Sequence, residues 1–217
     1  SGYAATAFIT NQRTGTVEFD DPMILVTDEK LEKVDQILPT LELAARENRP
    51  LVIIAGDIVD QALAALIMNT VRGTMKVAAI KAPRYGEERR KILRDLCLST
   101  NATMITREDS LQLKDVKLAH FGGCKKLSAD KGWTTIVGGK GDYEKIDKRI
   151  EALKTEIQQT ESLRDCEKIQ ERITRLASGI AVIRVGAATE VEMIEKRHRI
   201  DDALEAVKSA QLEGIVS

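Results

Sequence analysis

Apolar residues in the first half of the chain alternate between unbroken runs and stretches spaced three and four apart. Met23-Ile24-Leu25-Val26 and Leu51-Val52-Ile53-Ile54-Ala55 are continuous runs of strand length. Asp20-Asp21-Pro22 precedes the first and Gly56-Asp57 ends the second, so both read as buried strands. Lys76 to Ile80 reads as a third. Between the first two, Leu31, Val34, Ile37, Leu38, Leu41 and Ala45 follow the spacing of an amphipathic helix, and Asp28 resembles its N-cap. Pro39 lacks an N–H and clashes with the preceding turn. The expectation is therefore a short extended segment, then a helix with Pro39 in its first turn and Leu38 at its entrance. A second helix is predicted over Asp60 to Val71, stopped by Gly73, and a charged third over Glu87 to Leu98 after a Pro83–Gly86 loop. Strand and helix in alternation argue for an α/β core.

The second half reads differently. Thr103 to Thr106, Lys117 to His120 and Thr134 to Val137 are short β-like runs, and Gly138-Gly139-Lys140-Gly141 reads as a turn. Two helices follow, Tyr143 to Gln159 and Cys166 to Ala177, joined closely enough to form an antiparallel hairpin. Ser178-Gly179 ends the second helix, Ile180 to Val185 reads as a strand, and Glu190 to Leu212 as a long charged helix.

One helix departs from the usual pattern. In Asp60–Val71 the apolar residues Ala62, Leu63, Ala64, Ala65, Leu66, Ile67, Met68 and Val71 cover nearly the whole circumference. A surface helix needs an apolar stripe only ~100° wide. Either the helix is central to the core, or it packs on one side and presents Leu63, Ile67 and Met68 outward. Periodicity does not choose between the two.

Composition narrows the function classes. The 217-residue chain has a formal net charge of −1 and only 3% aromatic residues. Neither a positive field nor stacking platforms favour nucleic acid. No apolar run approaches the ~18 residues of a membrane span. Cys97, Cys124 and Cys166 are odd in number and far apart, and His120 and His198 are distant from each other, which argues against disulfides and metal sites and for a reducing compartment. The glycine turn lacks the spacing and the Lys-Ser/Thr ending of a phosphate loop, and Gly186-Ala187-Ala188 lacks a dinucleotide fingerprint. Asp201-Asp202, as helix neighbours, diverge by ~100° and need not act together.

Several blocks together resemble the apical region of group I (GroEL-type) chaperonins. They are Gly2-Tyr3, Phe8-Ile9, Asp57 to Gly73 (DIVDQALAALIMNTVRG), Val77 to Pro83 (VAAIKAP), Ser178 to Glu192 (SGIAVIRVGAATEVE) and Arg199 to Gly214. The resemblance spans the whole chain and implies an excised fragment that lacks both equatorial segments. The implied fold is a swivelling β/β/α apical domain over residues 1–180. A strand and long helix of the intermediate domain would follow over 181–217, with a hinge at Ser178-Gly179, where Gly179 tolerates unusual backbone angles.

The resemblance also implies a site. Non-native polypeptides and the mobile loop of a GroES-type co-chaperonin would bind an apolar groove formed by Tyr3, Phe8, Leu38, Leu41, Leu63, Ile67 and Met68, which favours the outward-facing reading of the second helix. Asp202 matches the family's catalytic aspartate, which acts only in the full-length ATP- and Mg-dependent ring. The fragment itself is expected to carry no cofactor, no metal and no enzyme activity. The implied setting is the cytoplasm, with an organelle matrix or a virus-infected bacterial host as alternatives. The family's tyrosine is Ala7 here, its valine pair is Ile67-Met68, its acidic-glycine turn is Val59-Asp60, and its Gly-Phe is Arg84-Tyr85. The rival readings are a stand-alone α/β enzyme or nucleotide-binding domain, and a purely structural oligomerisation fragment with no exposed patch.

Overall fold

The computed structural model describes residues 2–184. The predicted helix over 190–212 and Asp202 lie outside the described residues.

The strands are β1 (Val17–Asp20), β2 (Met23–Thr27), β3 (Lys30–Leu31), β4 (Leu51–Ala55), β5 (Asp57–Ile58), β6 (Val77–Lys81), β7 (Met104–Ile105), β8 (Gly122–Ala129), β9 (Trp133–Gly139) and β10 (Ile180–Arg184). The helices are α1 (Val34–Glu47), α2 (Asp60–Val71), α3 (Gly86–Thr100), α4 (Tyr143–Gln159) and α5 (Leu163–Ser178). An eight-stranded mixed sheet runs β10-β9-β8-β2-β4-β6, with β1 beside β8 and β7 beside β2. β2, β4, β6 and β7 are parallel; β8, β9, β10 and β1 are antiparallel to their neighbours. The α/β class is thus observed.

Every residue of β2 and β4 is buried, as parallel strands covered on both faces require. The path β2-α1-β4-α2-β6 moves steadily outward, so right-handed crossovers set α1 and α2 side by side on one face of the sheet. The return from β6 to β7 puts α3 on the other.

α1 begins earlier than the sequence suggests. Asp28 does not cap it; its carboxylate pairs instead with Arg90 at 3.4 Å. The Gln36 side chain closes the helix start, accepting from the backbone N–H groups of Glu32 and Lys33 at 2.8 Å each. Pro39 therefore sits inside the helix rather than in its first turn. The bond it withholds is to the carbonyl of Asp35, an exposed residue near the helix start, so the loss costs less there than in a buried turn.

In the second half, Lys117–His120 is not a strand: Leu118–His120 forms a 3-10 turn, with the Lys117 N–H donating to His120 Nδ1 at 2.9 Å. The adjoining β8 carries little strand signal, because Gly122-Gly123 and Lys125-Lys126 are poor strand formers. Gly138-Gly139-Lys140-Gly141 is not a free turn either. Gly138 and Gly139 lie within β9, and Lys140 N–H continues the ladder to Gly123 O at 3.0 Å. These glycines bring the sheet against the end of α3: a Cβ on Gly139 would strike the Ser99 carbonyl, and one on Gly141 the Leu98 carbonyl.

α4 and α5 form the expected hairpin, capped by the side chains of Asp142 and Ser162. It has its own small core of Ile146, Ile150, Leu153, Ile169, Ile173 and Leu176, with Leu98 of α3 packed against it. A buried carboxylate joins it to the rest. Asp95 on α3 accepts from Arg172 Nε at 2.6 Å, and its other oxygen accepts from Arg172 at 3.1 Å and Arg149 at 3.0 Å.

Gly179 caps α5 in the left-handed conformation, at φ +69°. β10 then pairs with β9 along its whole length, from Ile180 opposite Val137 to Arg184 opposite Trp133. A boundary after residue 180 therefore falls inside a paired strand of the sheet. At the opposite edge the N-terminal segment lies along β6: Ala4 N–H donates to Ala79 O at 2.7 Å and Lys81 N–H to Gly2 O at 3.1 Å.

Two positions where the sequence departs from the family carry left-handed backbone: Asp60 at φ +50° and Arg84 at φ +60°. Glycine holds such angles without Cβ strain. Arg84→Gly is expected to raise the unfolding free energy by about 0.5–1 kcal/mol in chemical denaturation, the relief of strain exceeding the added chain entropy. Asp95→Asn is expected to lower it by ~3 kcal/mol, because Arg172 is left largely buried without its counter-charge.

Candidate functional site

α1 and α2 pack against one another, and each carries apolar side chains on two faces. On α1 the residues turned to the core are Ile37, Thr40, Leu41 and Ala44. Val34 and Leu38, one turn apart, stay exposed at 37% and 46%, with Ala45 exposed two turns further on. On α2 the inward pair is Ala62 and Leu66. Ala64, Met68 and Val71 follow at i, i+4 and i+7, and all three are exposed. Met68 reaches 46% and Val71 72%. Leu63 and Ile67 lie on the flank between these faces, half-buried and packed against the main core. The unusual circumference of α2 thus has a simple cause: one apolar stripe serves the core and another faces out.

The residues named from the sequence separate accordingly. Leu38 and Met68 are outward. Leu63 and Ile67 are half-covered, presenting an edge rather than a face. Leu41 is 7% exposed and belongs to the core, because its position is rotated from Leu38 towards Ile37 and Ala44. Phe8 is wholly buried. It ends the 3-10 turn Thr6–Phe8, which packs against α2 and β6, and so supports α2 from beneath instead of lining a surface. Tyr3 is half-buried, and its hydroxyl donates to the Gly15 carbonyl at 3.1 Å. Burial and the nearby Asp130 both push the Tyr3 hydroxyl above its usual pKa, so it stays a neutral donor. Val34 and Val71 were missed as surface residues. The signal existed in their spacing, one turn before Leu38 and one turn after Ile67 and Met68.

Chemistry elsewhere among the described residues is sparse. Burial pushes the Cys97 and Cys124 thiols up to about 12, far from a nucleophilic thiolate. No group of three or more His, Cys, Asp or Glu side chains is placed to hold a metal ion, again among the described residues. Lys140, the one cation in the glycine-rich stretch, is held by Asp21 at 2.6 Å, so that stretch offers no free cation to a phosphate. No described helix is long and apolar enough to cross a membrane.

What the geometry leaves is a pair of adjacent helices with exposed apolar stripes on an α/β scaffold. Residues 10–217 match the TCP-1/cpn60 chaperonin family. The chain belongs to that family. Chaperonins assist protein folding, full-length members carry ATPase activity, and the family is generally built as rings. In this chaperonin chain the outward stripe on α2 is the feature that distinguishes the helix from an ordinary core element.

The division into core and surface has a direct check by thermal unfolding. Met68→Glu is expected to change stability by no more than about 0.5 kcal/mol. Ile67→Glu is expected to cost ~1–3 kcal/mol, since most of its surface is covered by the core. Phe8→Ser, which empties a wholly buried site, is expected to cost ~3 kcal/mol or more.

Proposed function

We propose that the outward apolar stripes of α1 and α2 bind non-native polypeptide segments, as the apical surface of a group I chaperonin subunit. The observation that carries this reading is the exposure of Leu38 and Met68, with Val34 and Val71 beside them, on two packed helices. Hydrophobic burial has no preferred direction, so such a surface accepts many sequences. The mobile loop of a GroES-type co-chaperonin, another apolar segment, would compete for the same face. Leu63 and Ile67 supply a partly buried edge beside Met68. Leu41 and Phe8 hold the helices in place.

Magnitudes support weak capture. Each of the four exposed anchors has roughly half of its side chain left to bury, about 1 kcal/mol apiece. The sum, ~4 kcal/mol, corresponds to a dissociation constant on the order of 1 mM. A single copy is therefore a poor trap, and several copies in a ring gain through effective concentration. ATP hydrolysis with Mg belongs in this reading to the whole subunit, with Asp202 orienting water. An isolated chain is expected neither to turn over ATP nor to assemble stably; turnover abolished by Asp202→Ala would count against this division of labour.

The test is binding of a labelled, permanently unfolded polypeptide to the chain tethered at high density on a surface. Leu38→Glu and Met68→Glu are each expected to reduce capture at least tenfold while leaving the thermal transition in place, because a carboxylate must be desolvated against the client. Either variant folded and with undiminished capture would refute the assignment.

A further inference from the structure

We propose that Met68 is an oxidation site through which hydroperoxides reversibly weaken the apolar face of α2. This rests on the polypeptide-binding reading above and adds a regulatory device to it. Two observations converge. Met68 is 46% exposed, whereas Met23 is 2% exposed, and Met75 and Met104 are partly buried against the main core. Met193 lies outside the described residues. Met68 occupies the middle of the outward stripe, between Ala64 and Val71, where a change of polarity falls on the surface itself and not on the fold.

The chemistry is self-contained. A lone pair on Met68 Sδ attacks the terminal oxygen of the hydroperoxide. The O–O bond breaks, an S–O bond forms, and the sulfur is oxidised by two electrons. The released hydroxide or alkoxide takes the proton of the hydroxyl now on sulfur and leaves as water or an alcohol. The product is a sulfoxide, polar and chiral where the thioether was apolar and flexible. Its oxygen finds no donor on an apolar client, so closing that contact strips it of water without compensation. Reduction by a dithiol-dependent sulfoxide reductase returns the thioether, one water and a disulfide, which makes the change reversible.

The test treats the chain with hydrogen peroxide, removes the excess with catalase, and maps added oxygen by peptide mass spectrometry. Binding to fluorescein-labelled, carboxymethylated α-lactalbumin is then measured on the tethered chain before and after treatment. Met68→Leu is carried in parallel, with its own untreated affinity as reference. The expected result is oxidation at Met68 ahead of Met23, Met75 and Met104, a roughly tenfold loss of affinity in the parent chain, an unchanged thermal transition, and no loss in Met68→Leu. Sulfoxide reductase treatment is expected to restore the parent. Preferential oxidation at Met23, Met75 or Met104, an equal loss in Met68→Leu, or full binding by a chain oxidised at Met68 would each overturn the proposal. An untreated chain that binds no unfolded polypeptide would instead overturn the reading on which it rests, a result distinct from the other three.

Discussion

β2 is the strand on which both halves of the described structure depend. It pairs in parallel with β4 and with β7, and antiparallel with β8, so the parallel and antiparallel parts of the sheet are joined through one five-residue segment. All five side chains are buried, and no polar residue other than Thr27 interrupts them. Thr27 earns its place by donating to the Ile105 carbonyl at 2.7 Å, which ties β7 to the end of β2. With β2 committed on both edges and both faces, α1 and α2 have one side of the sheet to cover and α3 the other. The outward stripe is therefore a by-product of how little of α2 the sheet can use: Ala62 and Leu66 meet the core, Leu63 and Ile67 reach it from the flank, and Ala64, Met68 and Val71 on the far side have nowhere inward to go.

The candidate surface sets exposed residues beside a partly buried flank, and this arrangement has physical content. A side chain such as Ile67, partly covered by the core, keeps its rotamer while still offering an edge to a partner. Ordering costs on binding are then lower than for a fully free side chain. Met68 is the opposite case, flexible and outward, suited to irregular partners. A rigid flank beside an adaptable centre would suit the sequence-tolerant binding proposed for this face.

Much of the fold was legible where one physical effect dominated. The continuous runs of β2 and β4 have no reading other than buried strands, and α2 and α4 have the bounds that their spacing and stop signals suggest. Legibility failed where long-range packing overruled local preference. β8 hides in Gly122-Gly123 and Lys125-Lys126 because Gly122 answers to the end of α3 and Gly123 to the Lys140 side chain, both distant in sequence. Gly138–Gly141 looks like a turn for the same reason. Asp28 resembled a cap, but its carboxylate serves Arg90. At the surface, i, i+3 spacing put Leu38 and Leu41 on one face without revealing that the face straddles the core boundary. Phe8 and Tyr3 carried no periodic signal at all, so only the coordinates of their neighbours separate support from surface.

The strap along β6 has a further meaning. Gly2, Tyr3 and Ala4 occupy the outer hydrogen-bonding edge of the parallel sheet, with Tyr3 bridged to Ile80 and anchored through its hydroxyl to Gly15. An open edge so close to exposed apolar helices would be a template: an unfolded chain held nearby would find free N–H and carbonyl groups and extend the sheet, seeding aggregation. Filling that edge with the protein's own backbone leaves an incoming chain only side-chain contacts, which let go easily, and denies it the backbone ladder, which does not.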